Sequence, residues 1–332
     1  MHSPDWSAAG SAGERSVVYG LVAAVAWGAS AVAAAAATRR TGTYIAVLCA
    51  QGAGLVLLLA LIAIIRPSFA GTTAALAAAL AGCGLASMLG YVCYYRAVKD
   101  GPVGLVSAIS ATYGGIAALL AVIVLGERLT APGAAGVVLA VAGVALAIAA
   151  PRQPAAGSVV AGRGVAGPAI SVGEPVVGPV PVPARLRSLP RGATVPLLFA
   201  AASAVAYGLG GFGVGDLSAR AGWLGAALIA HSASVLALTA ALPFLGRPAA
   251  WRGTGRGVRW AAGAGLADAV GLLAFTRGGQ VGQVAVTAAI SSVFPVIPVV
   301  AGVVMFGERL GRRQLLGTGV IIAGLILLGM SG

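Results

Sequence analysis

An internal duplication constrains the fold of this chain more than any other sequence feature. The segment Ala108 to Leu129, AISATYGGIAALLAVIVLGERL, returns about half a chain later as AISSVFPVIPVVAGVVMFGERL, from Ala289 to Leu310. Upstream of these segments the same pairing aligns Gly-Leu-Ala at residues 84–86 with Gly-Leu-Ala at residues 265–267. The repeat unit is therefore about half of the chain, and each half is expected to fold in the same way.

The composition places both halves in a membrane. Hydrophobic residues make up 59% of the chain, charged residues 9%, and the mean hydropathy is +0.98, which leaves too little polar surface for a water-soluble protein of 332 residues. The net charge of +13 comes mostly from arginines between apolar segments, so it marks membrane flanks and argues against nucleic-acid binding. The three cysteines lie inside apolar segments without a histidine cluster, so no disulfide framework and no metal site are predicted.

Ten apolar segments are long enough to cross a hydrocarbon core of ~30 Å as helices. The first fifteen residues are polar and small, and they are predicted to form a disordered tail. Pro, Gly and Arg dominate residues 151–193, which are predicted to be a loosely ordered linker, with a partner-binding proline segment as the alternative. The two repeats then occupy residues 16–150 and 194–332. The predicted spans are 17–37, 44–65, 72–95, 103–125, 131–150, 194–215, 223–245, 257–276, 282–306 and 314–330.

The number of spans in each repeat determines the topology. Because five is an odd number, the second repeat enters the membrane from the opposite side, and a pseudo-two-fold axis in the membrane plane relates the halves. The predicted fold class is an all-α integral membrane protein with ten transmembrane helices in two inverted five-helix repeats. Inverted repeats are the architecture of alternating access, in which a central site opens to one side and then to the other. A duplication without transport activity is the alternative.

Each repeat closes its fourth span with Gly-Glu-Arg-Leu, ahead of a fifth span with regularly spaced glycines. With this pair of motifs, the chain resembles the EamA-type branch of the drug/metabolite transporter superfamily. The resemblance implies a multi-pass plasma-membrane carrier for small metabolites, often an exporter of amino acids or related compounds. No cofactor is predicted. It also implies a central cavity lined largely by the third, fourth, eighth and ninth helices. The motif residues are Gly126, Glu127, Arg128, Gly307, Glu308 and Arg309.

The motif charges follow apolar runs directly, at the level where a helix reaches the membrane interface. They are interpreted as charges that end a helix and pair with a local arginine or with backbone groups, and substrate contact is the alternative. The fifth span of each repeat has two glycines seven residues apart, at Gly136 and Gly143 and at Gly317 and Gly324. Such a small-residue stripe predicts close helix packing, with an oligomer contact as the minor alternative.

Small, polar and aromatic residues recur at helical spacing on the central spans and predict the wall of a cavity. In the ninth span two prolines remove backbone donors, which predicts a broken helix near the middle of the membrane, where transporters often bind substrate. Simple helix packing is the alternative for this face, and for the aromatic pair on the first and sixth spans. The cavity candidates are Trp27, Ser87, Tyr91, Tyr94, Ser110, Gly114, Tyr207, Asp268, Phe275, Thr287, Ser291 and Pro295.

Asp268 is the leading candidate for proton coupling or for binding a cationic substrate group. It lies near the middle of the eighth span, on the order of 16 Å from either interface at 1.5 Å per residue. An isolated carboxylate at that depth costs about 2.5–3.5 kcal/mol, so Asp268 is expected to face a polar cavity. A carboxylate satisfied by hydroxyls of a neighbouring helix is the alternative. His231, which is paired with Gln51 by the repeat, is the second coupling candidate, and a histidine bonded to a neighbouring helix is the favoured interpretation.

Two classes of function follow from these features. A secondary transporter for a small-molecule substrate is favoured, and a membrane-embedded enzyme or assembly factor is the alternative. An enzyme needs a convergent nucleophile, base and stabiliser, whereas Asp268 and His231 are the strongly ionisable groups clearly inside spans, so no catalytic residue is predicted. The distribution of arginines places both termini outside, while the family resemblance implies cytoplasmic termini, and both orientations stay open. The oligomeric state also stays open.

Overall fold

The computed structural model describes residues 6–69, 71–125, 131–148, 194–241, 255–281, 287, 290–308 and 310–329. All regular secondary structure in these residues is helical. Six of the described helices are long and apolar enough to cross a membrane, and shorter apolar helices accompany them. The all-helical membrane architecture is therefore confirmed.

The first repeat contains α1 (Trp6–Thr41), α2 (Thr43–Ile65), α3 (Ala74–Asp100), α4 (Val103–Ala111), α5 (Tyr113–Leu125) and α6 (Ala131–Ile148). The second repeat contains α7 (Thr194–Ala221), α8 (Trp223–Ala241), α9 (Gly255–Val281), α10 (Val296–Phe306) and α11 (Arg312–Gly329). Because α4 and α5 are the two parts of the fourth span, these eleven described helices represent the ten predicted spans.

The amino-terminal end of the structure differs from the prediction. Residues 6–15, which were expected to belong to a disordered tail, are the first turns of α1. Their sequence, WSAAGSAGER, is rich in alanine and contains Glu and Arg, which are strong helix formers. Adding turns to an existing apolar helix also avoids the cost of nucleation, so such a segment continues the helix. The predicted linker, 151–193, lies outside the described residues.

The two repeats interdigitate, so that the third helix of each one packs mainly against the first helix of the other. These repeat-equivalent pairs are α1 with α9 and α3 with α7. The second helices pack across the repeat boundary in the same manner, α2 against α9 and α8 against α3, and α6 packs against α11. A pseudo-two-fold relation between the halves accounts for this pattern, because every inter-repeat contact then occurs twice or lies on the axis.

Glycines set the closest approaches between the repeats. A Cβ on Gly84 of α3 would overlap the carbonyl oxygen of Ala230 on α8, and a Cβ on Gly265 of α9 would overlap the carbonyl oxygen of Ala50 on α2. The two contacts are repeat equivalents of each other. Because only glycine has no Cβ, it allows the backbones of two membrane helices to meet in this way.

The small-residue stripes of α6 and α11 face each other. A Cβ on Gly143 would lie 2.8 Å from the carbonyl oxygen of Gly317, and a Cβ on Gly324 would lie 2.7 Å from the carbonyl oxygen of Gly136. This reciprocal arrangement is the close helix packing expected for such a stripe. In the described structure the four glycines therefore serve a contact between the two repeats.

Both central spans are interrupted at equivalent points. In the fourth span, the Thr112 hydroxyl donates to the carbonyl of Ile109 at 2.7 Å, and α5 begins at the next residue. In the ninth span, residues 292–295 form a turn that precedes α10. Around that turn four N–H groups bond to the carbonyl three residues earlier, at distances of 3.1–3.2 Å, and they belong to Val293, Phe294, Val296 and Ile297. Proline lacks the donor that an uninterrupted α-helix needs, so Pro295 and Pro298 favour this break.

The helix order assigns each loop to one of two sides of the membrane. Four helix ends meet on one side of the membrane: the carboxyl ends of α1, α3 and α10 and the amino end of α4. The carboxyl end of α6 and the amino end of α7, where the first repeat ends and the second begins, lie on the same side. We call this the linker side, and the opposite one the terminal side. Gly307 follows α10 on the linker side, whereas α5 ends at Leu125 on the terminal side. The fourth helices of the two repeats thus point in opposite directions, as inverted repeats require.

Candidate functional site

A cavity of about 130 Å³ lies between the two repeats. Its wall comes from α1, α3, α4 and α5 of the first repeat and from α7, α9 and the turn before α10 of the second. Eight of the twelve residues predicted for a cavity wall lie in this lining: Trp27, Ser87, Tyr91, Tyr94, Ser110, Tyr207, Asp268 and Phe275.

The other four predicted residues, Gly114, Thr287, Ser291 and Pro295, lie outside the lining and pack between helices. A Cβ on Gly114 would lie 2.7 Å from Ser292 Oγ, and Thr287 packs against α9. Ser291 has no exposed surface. Helical spacing places Thr287, Ser291 and Pro295 on one face only where the helix keeps its register, and the predicted break was not given a rotation. The turn at 292–295 changes the helical register, so residues on the two sides of it do not share a face.

Eight lining residues were absent from the predicted set: Ser30, Ala31, Tyr95, Tyr113, Gly211, Val214, Leu272 and Phe294. For two of them, the duplicated sequence indicates a position in the cavity wall. Tyr113 and Phe294 align in the two copies. Each lies three residues after the serine of an Ala-Ile-Ser sequence that both copies contain. An aromatic residue at the same place in both repeats is expected near the pseudo-two-fold axis, where the repeats meet. The remaining positions carry no comparable signal.

The cavity wall consists largely of repeat-equivalent pairs whose members differ in chemistry. The first repeat contributes mainly hydroxyl groups, whereas the second contributes one carboxylate and mostly apolar surface. The pairs in the lining are Trp27 with Tyr207, Ala31 with Gly211, Ser87 with Asp268, Tyr91 with Leu272, Tyr94 with Phe275, and Tyr113 with Phe294. The site is therefore symmetric in backbone position and asymmetric in polarity.

Asp268 is the charged member of the described lining. Its side chain projects from the middle of α9 and only 8% of its surface is exposed. The Tyr91 hydroxyl donates a hydrogen bond of 2.6 Å to Asp268 Oδ2. The Tyr91 ring in turn meets the Tyr207 ring edge to face, with centroids 5.2 Å apart. Asp268 is thus held by a side chain from the other repeat, and its position depends on the assembly of both halves.

Aromatic rings share the cavity wall with this carboxylate. Trp27 lies 5.6 Å from Phe275 and 6.3 Å from Tyr113, measured between ring centroids. A Cβ on Gly271 would lie 2.6 Å from the Trp27 ring, and a Cβ on Gly90 would lie 2.6 Å from the Tyr207 ring. Each ring therefore packs against a glycine of the opposite repeat. Because glycine has no Cβ, the large ring fits between two closely packed helices.

Several hydroxyls of the cavity region already have partners within the protein. Ser110 Oγ lies 2.7 Å from Ser203 Oγ, and Ser30 Oγ donates to the carbonyl of Ala264 at 2.9 Å. The Tyr94 hydroxyl lies 2.8 Å from Ser107 Oγ. These bonds fix α1, α4 and α7 against their neighbours, and they leave Asp268 as the strongest polar group facing the cavity.

His231 lies away from the cavity, at the contact between α8 and α2. Its Nε2 atom is 2.9 Å from the backbone oxygen of Gln51, its repeat equivalent, and only 3% of its surface is exposed. A Cβ on Gly54 would lie 2.9 Å from the same ring nitrogen. This geometry is that of a histidine bonded to a neighbouring helix, and His231 does not belong to the described cavity lining.

The second motif glutamate ties three helices together on the linker side. Glu308 Oε1 accepts from the N–H of Val103 at 2.8 Å and from an Arg39 guanidinium nitrogen at 3.2 Å, and Oε2 accepts from the N–H of Gly104 at 3.4 Å. The Arg39 guanidinium also lies 4.5 Å from the centroid of the Phe306 ring. A carboxylate at the amino end of a helix satisfies free backbone donors and the helix dipole. Gly126, Glu127, Arg128 and Arg309 lie outside the described residues.

Removing this contact is expected to loosen the linker side. In Glu308→Gln, a charge-assisted contact between the repeats is replaced by a neutral one. If the closed state loses ~1 kcal/mol of stability, the fraction of molecules that are open on the linker side rises roughly fivefold. The measurement is thiol labelling of Ser107→Cys, a fully buried α4 position, in a background without native cysteines. Labelling should rise about fivefold. A cysteine at Ala140, buried between α6 and α11, should label equally in both backgrounds, and a rise at both positions would indicate general unfolding instead.

Comparison with known proteins covers both repeats. The model of the EamA-like transporter family matches residues 15–149 and 194–330. The crystal structure of another protein is similar with a TM-score of 0.62 at 17% sequence identity, over 95% of this chain and 96% of that chain. At this identity the likeness shows the fold alone. No curated protein matches the sequence.

Proposed function

The chain belongs to the EamA-like transporter family, a family of membrane transporters, and on this basis we propose that it is a secondary transporter working by alternating access. Its two repeats, which we assign to residues 16–150 and 194–332, would move against each other and open the shared cavity to each side in turn. The substrate would be a small metabolite, such as an amino acid or a related compound. We further propose that the protein exports this substrate across the plasma membrane.

One observation carries the proposal: the cavity between the repeats contains a buried carboxylate that the other repeat holds in place. Tyr91 of the first repeat donates to Asp268 of the second at 2.6 Å. A carboxylate at the centre of a membrane protein is costly unless a cavity, a cation or a proton compensates for it. A substrate site and a site of proton coupling both supply that compensation, and Asp268 is proposed for these roles.

Filling the cavity tests the proposal directly. A Cβ at Gly211, in the cavity wall, would meet no atom within 4 Å, so a larger side chain there can extend into the cavity. Gly211→Phe is expected to abolish counterflow in proteoliposomes while expression and folding stay normal, because the ring occupies the substrate volume. The matched control is Gly319→Phe, at an exposed position of α11 where a Cβ likewise has no neighbour within 4 Å.

The assay uses proteoliposomes preloaded with a mixture of amino acids and simple amines, and exchange against each labelled compound is followed in turn. Wild type and Gly319→Phe should exchange at least one compound, and Gly211→Phe should exchange none. Equal exchange by both glycine variants would mean that the cavity is not the route. Energised uptake with and without a proton gradient then determines whether transport is proton-coupled.

A further inference from the structure

The charge balance of the cavity bears on the kind of substrate it accepts. Among the described lining residues Asp268 is the one acid, and no arginine, lysine or histidine lies in the lining. The ion pair between Arg39 and Glu308 lies on the linker side, and neither residue belongs to the cavity lining. A buried carboxylate without a positive partner is unfavourable, so the site favours a ligand that supplies the missing positive charge.

The aromatic rings of the cavity wall suit the same ligand. Tyr207 and Tyr91 meet at 5.2 Å beside the carboxylate, and Trp27 and Phe275 meet at 5.6 Å. Aromatic faces attract organic cations within about 6 Å of the ring centroid, with tryptophan as the best partner, and the attraction grows when water is excluded. The rings also provide apolar surface for the body of such a cation. An acid and aromatic faces in one cavity are complementary to an ammonium group attached to an apolar group.

A negatively charged substrate group has no comparable partner in this cavity. A free carboxylate would lie in the same small volume as Asp268, and like charges at short distance repel strongly in a medium of low dielectric constant. Two of the lining hydroxyls are already engaged with the protein, in the 2.7 Å contact of Ser110 with Ser203 and the 2.8 Å contact of Tyr94 with Ser107. The charge of Asp268 therefore disfavours anions and the carboxylate group of a zwitterion.

We infer that the substrate is an organic monocation, a protonated amine or a quaternary ammonium attached to an apolar or aromatic body, without a free carboxylate. This inference rests on the proposed transport function and narrows it. Within the amino-acid-related compounds it selects amines, esters and amides, whose carboxylate is absent or masked, over the free amino acids.

A series of ligands with one aromatic body and different charges tests the inference. The probes are 2-phenylethylamine and phenylalanine methyl ester as cations, phenylalanine as zwitterion, and 3-phenylpropionate as anion. Binding to the purified protein in detergent is measured by calorimetry. Both cations should bind at least tenfold more tightly than phenylalanine, and 3-phenylpropionate should not bind. Equal or tighter binding of phenylalanine, binding of 3-phenylpropionate, or failure of both cations to bind at millimolar concentration would overturn the inference.

Variants identify the site of binding. Asp268→Asn should weaken the binding of both cations more than tenfold, and Trp27→Phe should weaken it roughly three- to tenfold because phenylalanine is a poorer cation partner. Trp223→Phe is the control, since Trp223 lies against Arg277 and outside the cavity lining. Equal effects of the two tryptophan substitutions would overturn the aromatic part of the inference.

These experiments distinguish a wrong substrate class from a wrong transport function. If the cations bind in the cavity but no probe is exchanged across proteoliposomes, then the transport function is wrong and the binding site stands. If phenylalanine is exchanged and neither cation is, then transport stands and the substrate class is wrong.

Discussion

Asp268→Asn is expected to abolish transport driven by a proton gradient while the protein folds and inserts normally. The amide has the same size as the carboxylate, and its oxygen can accept the hydrogen bond that Tyr91 donates at 2.6 Å, so this link between α9 and α3 is retained. The negative charge of the cavity is lost. Hydrogen bonds to a charged group contribute about 1.5–3 kcal/mol, which corresponds to a loss of roughly ten- to more than hundredfold in affinity or rate.

Two assays separate the roles proposed for Asp268. If driven transport is lost and substrate counterflow is intact, the residue carries the coupling proton. If both are lost at normal expression, the residue binds substrate. The control is Asp216→Asn, which changes an exposed acid of α7 outside the cavity lining and should leave both assays unchanged. Wild-type activity of Asp268→Asn in both assays would rule out either role.

Gly265→Ala is expected to destabilise the fold so strongly that most of the protein is no longer folded. Its Cβ would overlap the carbonyl oxygen of Ala50, so α9 and α2 must separate along their contact. Overpacking typically lowers the free energy of unfolding by 1–3 kcal/mol. The loss here should reach ~3 kcal/mol or more, because the added Cβ is bonded to the backbone of α9 and the carbonyl belongs to the backbone of α2, so no side-chain rotation relieves the overlap. The measurements are the monodisperse fraction in detergent and the midpoint of thermal unfolding.

The neighbouring glycine provides a control with the opposite sign. Gly263 is exposed on the same helix, and a Cβ there would meet nothing within 4 Å. Alanine is a better helix former than glycine by about 1 kcal/mol, so Gly263→Ala should raise the unfolding temperature slightly. The repeat offers the same comparison on α3, with Gly84→Ala destabilising and Gly82→Ala neutral or stabilising. Similar behaviour of the two members of either pair would show that the inter-repeat contact is not tight.

The architecture could be predicted from the sequence because it depends on features that are local or repeated. Apolar segments of membrane-spanning length, the duplicated Gly-Glu-Arg-Leu motif and an odd number of spans determine an inverted ten-helix fold, and the family resemblance is confirmed. The glycine stripes also predicted a packing contact, although they did not identify α11 as the partner of α6.

The cavity could be predicted only in part, because its wall depends on where two helices break. On the uninterrupted helix α3, helical spacing predicted Ser87, Tyr91 and Tyr94, and all three lie in the lining. In the ninth span the same spacing selected Ser291, whereas the structure places Phe294 in the wall. Proline indicates that a helix is interrupted, but the rotation across the interruption depends on packing with other helices, which periodicity does not contain.

The pairing of Ser87 with Asp268 has a consequence for the empty carrier. Two identical repeats would give two end states that are related by a two-fold rotation and are therefore equal in free energy. Here one repeat holds a hydroxyl and the other a carboxylate at the same place in the cavity wall. When the repeats exchange conformations, the single charge moves into surroundings that differ in hydration, and the two states no longer have the same free energy. In the proposed cycle, the unloaded protein therefore rests facing one side of the membrane, the side on which Asp268 is better hydrated.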